Sequence, residues 1–73
     1  MKWRQKVAKH HADTIMETAN GIADLLRACG DNAFRQDDGG ALGSLVKAVY
    51  DDSADRARTI GLELAEHITE AVR

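Results

Sequence analysis

Residues 8–30, AKHHADTIMETANGIADLLRACG, place apolar side chains at Ala8, Ala12, Ile15, Ala19, Ile22, Leu26 and Cys29. Alternating steps of four and three keep side chains on one side of a 3.6-residue helix, whereas a strand would alternate apolar and polar positions. The stretch therefore predicts an amphipathic helix, with Trp3 and Val7 extending its stripe and Asp13, Glu17, Asp24 and Arg27 on other faces. Its expected bounds are about 3 to 29, with Gly30 as the left-handed residue that closes it before a polar loop ending at Asp37-Asp38-Gly39-Gly40. Asn20-Gly21 is a strong turn signal. The stripe nevertheless stays in phase across it, which predicts a continuous helix that tolerates the glycine at about 1 kcal/mol.

The second half repeats the pattern through Leu42, Leu45, Val46, Val49, Ser53, Ala57, Ile60, Leu64, Ile68 and Ala71. A second helix over about 40 to 72 follows, with Asp38 as its expected N-cap. Asp52, with Asp55 three residues later, offers an alternative helix start, so a three-helix chain broken near residue 52 is the competing reading. The absence of proline and the abundance of Ala, Leu, Glu, Arg and Lys favour helix throughout. The predicted fold class is all-α: a single domain, residues 1–73, forming an antiparallel helical hairpin with a loop of about ten residues.

Such a hairpin is one layer thick and leaves one side of its apolar seam bare. Seventy-three residues are also near the lower limit for folding without a staple. A homodimer closing a four-helix bundle satisfies both constraints. Residues beside or off the stripes, Met16, Leu25, Tyr50 and Leu62, with Trp3 and Arg4 at the N-terminus, are the candidate partner-binding set.

Charge is uneven. Residues 1–11 hold Lys2, Arg4, Lys6 and Lys9 with no acid, leaving six basic against twelve acidic residues in 12–73, a formal −6. Cations beside Trp3 suit phosphate and base stacking, which makes nucleic acid the alternative partner. The favoured reading instead pairs Lys2, Lys6 and Lys9 across the hairpin with Glu63, Glu66 and Glu70.

Other chemistries find little footing. His10, His11, Asp13 and Glu17 share a helix, but His67 is the only further histidine, too few for a closed zinc set, and no metal is expected. Asp37-Asp38-Gly39-Gly40 is too short for a calcium loop and lacks the lysine of a phosphate loop. Ser44 has no preceding strand to form a nucleophile elbow, and Cys29 reads as a small buried hydrophobe on the seam. No apolar run approaches the ~20 residues of a membrane span. The lone cysteine and the lack of a leader-like segment point to a reducing, cytoplasmic setting. These features predict a non-enzymatic protein–protein interaction module without cofactors, a dimeric regulator or inhibitor of a larger protein.

Overall fold

The computed structural model describes residues 2–72. Helix α1 runs over Lys2–Gln36 and helix α2 over Ala41–Glu70, antiparallel and in contact along their length. The hairpin measures 56 × 13 × 7 Å, its long axis set by the 35 residues of α1 at about 1.5 Å each. Both expected continuities hold: α1 passes through Gly21, and α2 through Asp51-Asp52-Ser53.

The connection differs from the sequence reading. Gly30 does not end α1; it lies buried within it, and the turn is only Asp37–Gly40. Phe34 accounts for this, because its carbonyl and ring anchor a helix end about two turns later than expected. The Gly39 N–H donates to the Phe34 carbonyl at 3.0 Å and the Asp38 N–H to the Arg35 carbonyl at 3.1 Å. This paired pattern satisfies the last carbonyls of α1, with Asp38 and Gly39 left-handed at φ 50° and 71° and the Phe34 ring beneath Gly39. Asp38 thus belongs to the end of α1 and is not the N-cap of α2. Gly40 is the N-cap, extended and without a side chain, and Asp37 supplies the acceptor: its Oδ2 takes the Gly43 N–H at 2.8 Å.

The seam is made of smaller residues than the stripe implied. Ala8, Ala12, Ala19, Ala23 and Gly30 of α1 are buried against Gly43, Ala54, Gly61 and Ala65 of α2. Gly61 meets Ala19, Gly30 meets Tyr50 and Gly43 meets Asp37, so facing residues have numbers that sum to about 80. Backbones approach so closely that a Cβ on Gly30 would lie 3.3 Å from the Lys47 Cα, and one on Gly61 would collide with the Ala19 Cβ. Gly21 has open space around it, so close approach explains Gly61 and not Gly21.

This spacing displaces the larger residues. Ile22 and Cys29, expected in the seam, are exposed, as are Leu42, Leu45, Val49, Ile60 and Leu64. Among the described residues, no large side chain is fully buried. Each buried alanine methyl contributes only about 0.8 kcal/mol, against 1.5–3 for a buried leucine, so the hairpin is held by a shallow core.

The expected lysine–glutamate pairing is absent. Among the described residues, no ion pair joins Lys2, Lys6 or Lys9 to Glu63, Glu66 or Glu70, and Lys9 pairs along its own helix with Asp13 at 3.0 Å. The register explains this. Glu63 lies two residues from both Gly61 and Ala65, about 200° round α2 from the seam, and so projects away from α1.

Candidate functional site

Small residues in the seam leave two unlike surfaces on its flanks. On one flank the helices exchange charge: Arg27 Nη2 meets Asp55 Oδ1 at 2.6 Å and Arg58 Nη2 meets Asp24 Oδ1 at 3.3 Å. Lys47 Nζ sits between Asp31 Oδ1 at 3.0 Å and Asp51 Oδ2 at 2.9 Å. Hydrogen bonds to Asp51, then Asp31, raise the Lys47 pKa above its ordinary 10.5. Each exposed pair is worth at most about 1 kcal/mol, but together they set which residues face one another.

The other flank is mostly apolar. In its middle, Ile15, Thr18 and Ile22 of α1 and Ala57, Ile60 and Leu64 of α2 line an open groove of about 400 Å³. Toward the open end of the hairpin a second groove, also about 400 Å³, lies between Trp3, Arg4, Val7 and His11 of α1 and His67, Ile68 and Ala71 of α2. A smaller depression lined by His11, Ile15 and Ile68 joins them. The face continues toward the turn by helical repetition, since Leu25 follows Val7, and Ile60 follows Leu42, by eighteen residues or five whole turns. These turn-half side chains stand proud: Leu25 and Leu42 are each 69% exposed and Val49 57%.

The structure divides the six expected partner residues. Trp3, Arg4 and Leu25 border the apolar face. Tyr50 is half-buried in the seam, its Cβ against Gly30. Met16 and Leu62 are exposed on the ion-paired flank, in line with Arg27 and Arg58 respectively. The residues that build the apolar face, above all Ile22, Leu42, Val49, Ile60 and Leu64, were assigned to the seam in the sequence reading. The signal that distinguishes them is side-chain size: alanine and glycine recur on a neighbouring line at Ala8, Ala12, Ala19, Ala23 and Gly30, and at Gly43, Ala54, Gly61 and Ala65.

His11 and His67 line the same groove, while His10 and His11 stand with ring centroids 6.2 Å apart and tilted planes. Among the described residues, no three of His, Cys, Asp and Glu gather as a metal-binding group. No described helix is long and apolar enough to cross a membrane. Compared with known proteins, the chain matches no family model, no curated protein and no solved structure.

Proposed function

We propose that the protein is a non-enzymatic interaction module: its apolar face completes a four-helix bundle with a second copy, and the resulting homodimer regulates or inhibits a larger protein by occupying one of its surfaces. The observation that carries this reading is the division of the hairpin into an ion-paired flank and an apolar flank whose large side chains remain about half or more exposed. Area supports it. The hairpin exposes 5554 Å², whereas a monomer of 8.0 kDa typically exposes about 4,450 Å². The excess, about 1,100 Å², is of the size that one subunit buries in a stable interface, about 800 Å² or more.

Sedimentation equilibrium at micromolar concentration tests the first step, with a dimer expected; a well-folded monomer would remove the homodimer from the proposal. With the apolar face covered, Met16 and Leu62 remain outward on the ion-paired flank as contacts for the larger protein. Met16→Glu with Leu62→Glu should leave the dimer intact and abolish capture of that protein. Capture that survives the double change would reject those contacts.

One observation favours nucleic acid as a second reading. Lys2 and Lys6 take part in none of the ion pairs among the described residues and share one face of α1 with Lys9, which leaves a basic strip at the open end. Phosphate binding there would show as a gel shift that weakens steeply with salt and is lost on Lys2→Glu with Lys6→Glu.

A further inference from the structure

We infer that the second copy docks head to tail, with the turn end of each hairpin seated in the open-end groove of the other. This rests on the homodimer reading and adds to it the orientation and the contacts. The relief of the apolar face is polar along its length. Its concavities lie in the open half, between Trp3 and Ile22 on α1 and between Ala57 and Val72 on α2. Most of its projections lie in the turn half, where Leu25, Leu42, Leu45 and Val49 stand more than half exposed; Val7 and Leu64 of the open half stand less than half exposed, and Trp3, at its tip, is the exception. Two copies aligned turn to turn would set projection against projection and groove against groove. Reversing one copy about a two-fold axis near Ile22 and Ile60 sets projections into grooves at both ends.

The register gives the contacts. Facing residues sum to about 80, so Leu42 lies level with residue 38 of α1 and Val49 level with residue 31. A two-fold axis level with residue 20 then carries Leu42 to the height of residue 2 on the other copy and Val49 to the height of residue 9. Such an axis sets α2 against α2, so Val49 settles against Ala71 and Ile68 of the other copy, and Leu42 reaches the open end of that groove, level with Trp3. Charge agrees with this orientation. Asp38 of the turn comes level with residue 2 of the other copy, at the end of the groove edged by Arg4.

Trp3 is the sole tryptophan, which makes the orientation measurable. Two chains, both Cys29→Ala, are co-expressed with different tags and the heterodimer isolated; one keeps Trp3, and the other is Trp3→Phe with a nitroxide on Gln36→Cys. Within one chain residues 3 and 36 are about 50 Å apart, so only a reversed neighbour brings the label to Trp3. The expected result is loss of Trp3 emission with the label at residue 36, and no loss with a nitroxide on Ala71→Cys instead. Quenching from position 71 and not from 36 overturns the head-to-tail arrangement, as does a dimer quenched from neither. Sedimentation of the same samples separates these outcomes from failure of the homodimer reading, which would show as monomers.

Discussion

Gly61→Ala and Gly21→Ala are the same chemical change in two helix interiors, and the structure gives them opposite signs. In an unobstructed helix, replacing glycine by alanine stabilises by about 1 kcal/mol, because the glycine backbone loses more freedom on folding. At Gly21 nothing lies within 4 Å of the added Cβ, so the full gain is expected. At Gly61 the added Cβ collides with the Ala19 Cβ, and the nearest backbone atom, the Ile15 carbonyl oxygen, lies 3.7 Å away. Neither partner is the end of a flexible side chain, so the helices must separate. Overpacking of this kind costs about 1–3 kcal/mol, which outweighs the propensity gain and leaves a net loss of about 1 kcal/mol. The two variants should therefore differ by about 2 kcal/mol, roughly 8–16 °C in Tm for a domain of this size. Thermal melts followed by circular dichroism at one protein concentration measure the difference. Ala19→Gly added to Gly61→Ala should recover much of the loss, since it moves the methyl across the seam without adding one. If Gly61→Ala melts as high as Gly21→Ala, the close approach of α1 and α2 is refuted.

Asp37→Ala removes the acceptor of the Gly43 N–H and should cost about 1 kcal/mol in chemical denaturation; no change in midpoint would reject Asp37 as the capping acceptor. Ala23→Asp should unfold the chain, because it puts a carboxylate into a site with no exposure, whereas Ile22→Asp, one residue away and 48% exposed, should keep full helicity and lose only self-association. Equal loss of helicity in the two would contradict the seam. The raised Lys47 pKa gives a pH signature: protonated Lys47 stabilises the fold fully below 10.5, and that contribution is lost as pH climbs through the higher folded value. Tm should thus fall above pH 10.5, with that part of the fall missing in Lys47→Met.

The all-helical hairpin was legible from residue order alone, because steps of three and four leave no other periodicity for the apolar residues and no proline interrupts them. Continuity through Gly21 was also legible, since a break there would generally have reset the phase of the stripe; at Asp51-Ser53 residue order left a third helix open, and the folded chain runs straight through. Residue order did not determine which line of that stripe faces the other helix. Two lines, about 100° apart, both satisfy the spacing: one of alanines and glycines, and one carrying Ile22, Leu42, Ile60 and Leu64, each just before a seam residue. Assigning the large residues to the seam follows from maximising burial within one hairpin. The tertiary structure puts the small residues there, because only they let two backbones approach until a Cβ on Gly61 would have no room. The end of α1 also moved, from Gly30 to Gln36: a glycine read as a stop signal is instead a gap that admits Tyr50 and Lys47 of α2. The small-residue seam turned Glu63 outward, away from the N-terminal lysines, and left the large apolar side chains as an exposed face. Helical periodicity is a property of each segment by itself, but the depth to which two helices interpenetrate depends on both at once, and so only the folded pair decides it.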